Sequence, residues 1–245
     1  MTFLSTLKKT SGGISLSVAN TWTALQTFTH KIVSTDTDQS LYEYFNALTT
    51  PAKQHYVSWC MGSVLDPSLT ATVVNTGTVT MSTTEDNGIQ IKAATTGDSA
   101  VVNWNTKNTI SPTNSFMIWV MKFNEVGTNN YETYQGMSTV NTIGSGIGCG
   151  LYITASNSKF VLWSVGSGGF DFSNSSINAD SDPHSFKVEI TTTPSVILTI
   201  DGVVAVTELD TDAIPNASMQ VMIGTNSSSD NVKQIILKSI EVRNR

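Results

Sequence analysis

The 245-residue chain predicts an all-β sandwich, and three observations carry that expectation. Strand-like runs follow one another from about residue 55 to the C-terminus. Turn residues punctuate them at Asp86-Asn87-Gly88, Ser156-Asn157, Asp182-Pro183 and Asp201-Gly202. Charged residues make up only 13 %, against roughly 25 % in ordinary soluble domains, and Thr, Ser, Asn and Gly fill the gap. That texture suits an uncharged polar β-surface. Many short strands with almost no helix leave two packed sheets, or a closed barrel, as the economical arrangement.

Taken in order, residues 1–35 read as an N-terminal extended segment for attachment and oligomerisation. Within it, Asn20–Thr29 alternates, with Trp22, Ala24, Gln26 and Phe28 on one face and Thr21, Thr23, Thr27 and Thr29 on the other. A lone strand cannot bury two large aromatics within itself, so Trp22, Leu25 and Phe28 are the expected assembly residues. Residues 36–54 hold one short helix, Asp38–Leu48, and a linker. Asp38 can cap that helix, Leu41, Tyr44, Phe45 and Leu48 fall at helical spacing, and Pro51 helps to end it.

Residues 55–245 form the sandwich. The expected strands are Val57–Met61, Thr78–Met81, Gly88–Ala93, Ala100–Trp104, Ser115–Phe123, Gly148–Thr154, Lys159–Val165, Ser185–Thr191, Val196–Ile200, Val203–Val206, Met219–Ile223 and Ile235–Val242. Asp201-Gly202 between two apolar runs is the clearest hairpin turn. In His184–Ile190, Phe186, Val188 and Ile190 face one way and Ser185, Lys187 and Glu189 the other, so one face is wet. In Ser115–Phe123 both faces are apolar. Such a strand needs a second cover besides the opposing sheet: a loop, the helix or a neighbouring subunit.

Two resemblances follow from these residues. The run His184-Ser-Phe-Lys-Val-Glu-Ile, then Val196-Ile-Leu-Thr-Ile-Asp-Gly-Val-Val, resembles the signature hairpin of concanavalin-A-like and laminin-G-like jelly rolls. Gly88-Ile-Gln-Ile, Ser115-Phe-Met-Ile-Trp-Val, Phe160-Val-Leu-Trp and Ile235-Ile-Leu-Lys-Ser-Ile-Glu-Val extend that likeness over residues 55–245. It implies a jelly-roll sandwich of two antiparallel sheets and leaves the ligand open, since that fold hosts lectins, hydrolases and adhesion modules. Asn20-Thr-Trp-Thr-Ala-Leu-Gln-Thr-Phe resembles a stretch that recurs in phage and virus tail-fibre, spike and other virion proteins. That likeness implies a virion structural protein, made in a host cytoplasm and exposed on the particle. Its partners would be copies of itself (trimers being common among fibres), other virion proteins and host-surface glycan. The alternatives are a cellular carbohydrate-binding module or adhesin, and a polysaccharide depolymerase.

Several classes find no support. The formal net charge of −6, with no basic cluster beyond Lys8-Lys9, argues against nucleic acid as a partner. There is no apolar stretch of membrane-spanning length, and no secretory signal is expected at the N-terminus. Cys60 and Cys149 are expected to be two buried free thiols, although one disulfide is possible. His30, His55 and His184 lack metal-ligand spacing, so no cofactor is expected, and a structural calcium has no motif. Glu208, Asp210 and Asp212 alternate as an acidic row, which reads as a solvated edge or a cation site. Three Asn-x-Ser matches, at Asn174, Asn216 and Asn226, are what chance gives in so Asn- and Ser-rich a chain.

Glycoside hydrolases of this sandwich carry a Glu-x-Asp-x-(x)-Glu strand that sets two carboxylates across the sugar bond. The chain has none, nor a nucleophile elbow or phosphate-gripping loop, and catalysis is not expected. Ligand contacts are therefore placed on loops. The stretch Asn124–Gly146 offers Asn129, Asn130, Tyr131 and Tyr134, and Ser167–Asn174 offers Phe170, Asp171, Phe172 and Asn174. Aromatic rings stack on a pyranose face and amides bond its hydroxyls. The same loops would equally serve by packing on the sandwich edge or on a sister subunit.

Overall fold

A computed structural model describes residues 55–60, 63–82, 87–106, 109–124, 131–141, 146–154, 159–227 and 233–244, all within one compact unit, Ala47–Arg245. Trp22, Leu25, Phe28 and the expected helix Asp38–Leu48 lie outside the described residues. Fifteen strands are described: β1 (His55–Trp59), β2 (Thr70–Val74), β3 (Thr78–Ser82), β4 (Gly88–Ala93), β5 (Ser99–Asn103), β6 (Ser115–Phe123), β7 (Tyr131–Ser138), β8 (Gly148–Thr154), β9 (Lys159–Val165), β10 (Phe170–Asn178), β11 (His184–Ile190), β12 (Val196–Ile200), β13 (Val203–Glu208), β14 (Gln220–Ser227) and β15 (Lys233–Asn244). They make two antiparallel sheets. The eight-stranded sheet runs β13-β12-β11-β6-β15-β4-β3, with β1 also paired to β15, and the seven-stranded sheet runs β10-β9-β8-β7-β14-β5-β2.

All twelve expected strands are present, five of them (β4, β6, β8, β9 and β12) with the expected bounds. Three strands escaped the sequence reading: β2, β7 and β10. The last two correct the expectation of ligand loops, because Tyr131–Ser138 and Phe170–Asn178 are sheet, not irregular connections. Their polar sequences, Tyr-Glu-Thr-Tyr-Gln-Gly-Met-Ser and Phe-Asp-Phe-Ser-Asn-Ser-Ser-Ile-Asn, lack β-branched alternation. Backbone pairing on neighbouring strands overrides that weak local preference.

The core lies between the sheets. Met117, Trp119, Met121 and Phe123 of β6 are fully buried and meet Cys149, Leu151 and Ile153 of β8 and Phe160 and Leu162 of β9 within one apolar cluster. Phe160 joins the sheets: its ring lies 5.2 Å from Phe186 and 6.1 Å from Phe123, and Phe186 stacks on Trp119 at 5.6 Å. Each such aromatic contributes roughly 1.5–3 kcal/mol through burial. The other face of β6 finds part of its second cover at Phe116. That ring is only 4 % exposed, with Lys187 Nζ 5.0 Å and Arg243 Cζ 5.7 Å from its centroid. Cys60 and Cys149 are both buried and free, and burial pushes the Cys60 thiol up to about 12.

The hairpin that carried the jelly-roll likeness is locked by its own side chains. Asp201 (φ 50°) and Gly202 (φ 80°) form the two-residue turn between β12 and β13, which demands left-handed backbone at both positions. Asp201 Oδ1 accepts the Ser185 N–H at 2.9 Å, and Asp201 Oδ2 lies 2.6 Å from His184 Nδ1. The other ring nitrogen, His184 Nε2, lies 2.9 Å from Asp180 Oδ1. A carboxylate only accepts, so both contacts are satisfied together by the doubly protonated imidazolium.

Burial alone would lower the His184 pKa, but the hydrogen bonds to Asp201 and Asp180 outweigh it and hold the value above the ordinary 6.5. Asp201 also loses solvent, yet the His184 contact brings it below the ordinary carboxylate value. The raised imidazole pKa contributes stability that is complete below 6.5 and is lost as pH rises through the folded value. The lowered Asp201 contribution is present above about 3.9 and is lost as pH falls through its folded value. The urea midpoint is therefore expected to decline as pH rises above 6.5, and His184→Asn should flatten that decline. An equal slope in wild type and variant would refute the clasp.

Candidate glycan-binding face

The outward face of the seven-stranded sheet is set by what the inward face buries. In β8, Cys149, Leu151 and Ile153 point into the core, so Gly148, Gly150 and Tyr152 point out. In β9, Phe160 and Leu162 point in, leaving Val161, Trp163 and Val165 outside. Register does the rest. Phe172 pairs with Trp163, Trp163 with Gly150, Gly150 with Gly136, and Gly136 with Met222. One row over, Asn174 pairs with Val161, Val161 with Tyr152, Tyr152 with Tyr134, and Tyr134 with Gly224.

Large rings thus stand beside a strip without side chains. Gly136 and Gly150 face each other, and a Cβ on Gly150 would sit 2.0 Å from the Gln135 carbonyl oxygen. A Cβ on Gly148 would meet the Trp163 ring at 2.6 Å. The indole fills the space those glycines leave. Tyr134 and Tyr152 have ring centroids 4.6 Å apart, Tyr134 lies edge-on to Trp163 at 5.7 Å, Tyr152 lies 5.0 Å from Phe172, and Phe172 lies 6.1 Å from Phe170. Tyr134, Trp163, Phe170 and Phe172, together with Met222 and Val165, line a cavity of about 290 Å³, and Tyr152 packs behind Tyr134 and Phe172. Trp163 is 3 % exposed and Tyr134 8 %, whereas Phe170 is 73 % and Phe172 40 % exposed at the rim. The Trp163 Nε1–H is buried and has no acceptor among the described residues.

A polar groove of about 400 Å³ adjoins on the same face, lined by Thr72, Val74, Asp98, Glu132, Asn141 and Asn226. Glu132 stands at the border. Its Oε1 accepts from the Tyr152 hydroxyl at 3.3 Å and its Oε2 from Asn226 Nδ2 at 3.4 Å. Burial first, then Tyr134 and the Glu132 charge, raise the Tyr152 pKa, so the phenol stays neutral and donates. Asp98 is a structural carboxylate. It accepts from the Thr76 hydroxyl at 2.6 Å and from the Thr95 N–H at 2.8 Å, which hold it well below the ordinary carboxylate range. Among the described strand positions of this face, Glu132 is the one carboxylate and Lys159 the one cation.

Of the residues the sequence singled out, Tyr134, Phe170, Phe172 and Asn174 share this face. Asp171 points the other way. Its Oδ2 accepts from Ser173 Oγ at 2.8 Å, and Ser173 Oγ also reaches Glu208 Oε2 at 3.4 Å. The hydrogen-bonded contact between the two acids lowers the Asp171 pKa and raises that of Glu208. Glu208 Oε1 also accepts the N–H groups of Leu209 and Asp210, and Asp210 Oδ1 that of Asp212, so this acidic row serves its own loop. Tyr131 opens β7, and Asn129 and Asn130 lie outside the described residues. Sequence reading missed Tyr152, Trp163 and Met222. The signal was available in Phe160-Val-Leu-Trp, an apolar run on both faces, the argument already applied to Ser115–Phe123.

No protein-family model and no curated protein sequence matches this chain. Solved structures do. A protein of unknown function, SO2946 from Shewanella oneidensis MR-1, is 14 % identical with a TM-score of 0.62, covering 88 % of this chain and 96 % of its own. A Bacillus licheniformis β-glucanase is 12 % identical (TM-score 0.56; 78 % and 98 % covered). An endo-β-galactosidase from Clostridium perfringens that releases GlcNAcα1-4Gal is 9 % identical (TM-score 0.57; 79 % and 63 % covered). At such identities the likeness concerns the fold, which is a concanavalin-A-like jelly roll.

Gly150→Ala is expected to destabilise the domain by roughly 1–3 kcal/mol, because the added methyl has no room beside Gln135. Urea unfolding checks it, and an unchanged midpoint would show that β7 and β8 can separate freely.

Proposed function

We propose that the protein is a glycan-binding domain that holds an uncharged oligosaccharide on the outward face of its seven-stranded sheet, without cleaving it. The supporting observation is the group of four rings, Tyr134, Trp163, Phe170 and Phe172, around one cavity on that face, with Tyr152 packed against two of them. A folded domain gains little by leaving Phe170 and Phe172 wet, whereas a sugar ring stacked there buries apolar surface on both partners. Hydroxyls find acceptors and donors in Glu132 and Asn226 beside them. A near-neutral face favours uncharged over anionic glycan. Among the described strand positions of this face no second carboxylate stands beside Glu132, which supports binding over hydrolysis, a reaction that needs an acid and a partner carboxylate.

The setting implied by Asn20–Thr29 is a virion fibre or spike, with the sandwich presented for host attachment and copies joined through Trp22, Leu25 and Phe28. Only that segment supports it. A cellular carbohydrate-binding module is the second reading, and the sandwich face favours both equally.

A glycan array probed with the full chain should give hits among neutral glycans. Trp163→Ala and Phe172→Ala should each weaken the strongest hit by about tenfold or more, the ~1.4 kcal/mol of a central aromatic contact. A blank array, or variants that bind as wild type, would remove this reading. Release of reducing ends from a bound polysaccharide would instead assign a depolymerase. Mass spectrometry of purified particles checks the virion setting independently: the protein should be among their components, and its absence would leave a cellular binding module.

A further inference from the structure

The two sides of the sandwich differ in how their edge strands meet solvent. On one side lie β13 and β10. Both have a shift in register, β13 opposite Leu198 and Thr199 and β10 between Asn174 and Asn178. Both also point an acid inward, Glu208 and Asp171, and the two acids meet through Ser173. Bulges and inward charges are the devices by which natural sheets keep their edges from pairing with other chains.

The opposite side has neither device. There β2 ends the seven-stranded sheet and β3 the eight-stranded one, each in unbroken register with its inner neighbour. No charged residue occurs from Pro67 to Thr84. Val73 and Val74 are 49 % and 48 % exposed, and no described strand pairs with the far edge of β2 or β3. The corner joining them is held rigid. Asp98 accepts from the Thr76 N–H and hydroxyl, Asn75 Nδ2 donates to the Gly97 carbonyl at 2.9 Å, and Gly77 lies against the Ser99 carbonyl, where a Cβ would sit 2.1 Å from the oxygen.

We propose that this edge is where a second copy of the chain docks, β2 pairing antiparallel with its own two-fold image. Charge selects the copy as occupant. Two chains of net charge −6 repel wherever acids face acids, and this charge-free edge lets like meet like without that cost. An antiparallel strand pair is also self-complementary about a two-fold axis. With Thr72 on the axis, Thr70 faces Val74 of the copy and Ala71 faces Val73, all uncharged pairs rich in β-branched residues. Such an axis stands normal to the sheet, so both outward faces lie on the same side. Thr72 and Val74 line the polar groove, which then continues into the groove of the copy. The dimer does not depend on glycan binding.

Sedimentation velocity on the full chain, free of ligand, tests it. Ala71→Lys combined with Val73→Lys, both at exposed positions, places like charges opposite each other across the joint and should halve the assembled mass while the circular dichroism stays that of wild type. Independently, Thr72→Cys should yield a covalent dimer on mild oxidation, and Val204→Cys on the protected β13 edge should not. Equal mass in wild type and lysine variant overturns the proposal, as does cross-linking through Val204→Cys but not Thr72→Cys. If the lysine variant unfolds, the cysteine pair decides alone.

Discussion

Phe160 sets the register on which the molecule depends. Its ring reaches across from β9 to Phe123 and Phe186 of the opposite sheet. Side chains alternate along a strand, so a one-residue slip of β9 would send Phe160 to solvent and Trp163 into the core. The closed core excludes that outcome at a cost of several kcal/mol. Once Phe160 and Leu162 are inside, Trp163 must stand outside, and pairing carries the same choice to Tyr152, Tyr134 and Met222. Packing between the sheets thereby arranges the aromatic face on the far side of one of them.

Glycine and tryptophan are two halves of one feature on that face. Gly136, Gly148 and Gly150 are places where a Cβ would strike backbone or indole, and the space they leave is where Trp163 lies. An indole on an outward strand position is normally wet, yet Trp163 is almost fully buried by its own neighbours. The rim residues Phe170 and Phe172 remain exposed. A rigid floor with a wet aromatic rim is prepared for a flat, partly apolar ligand, because little side-chain entropy is left to lose on binding.

Much of the fold was legible because core strands advertise themselves. The runs Ser115–Phe123, Gly148–Thr154 and Lys159–Val165 are apolar, bounded by turn residues, and match the observed strands residue for residue. The Asp201-Gly202 turn was equally plain, since few dipeptides accept two successive left-handed conformations. What escaped was polar. β10 is rich in Ser and Asn and sits at an edge with one face wet, and β7, though central, carries Thr133, Gln135 and Gly136 where strands usually carry branched apolar residues. Such strands take their conformation from hydrogen bonds to neighbours that lie far away in sequence.

The sequence by itself determined an all-β chain, its strong strands, its tight turn and the lack of a two-carboxylate strand motif, because each of these follows from local conformational preference or from residue identity. Tyr134, Phe170, Phe172 and Asn174 were recognised as candidates, yet on loops and in two separate groups. Only the tertiary structure decided that they share one face, that Asp171 turns away from them, that Trp163 and Met222 complete the cavity, and that Tyr152 packs against its rim. The physical reason is register. Which residues of β7, β8, β9, β10 and β14 lie side by side is fixed by pairing across the sheet and by packing against Phe123 and Phe186, and neither is written in any one strand.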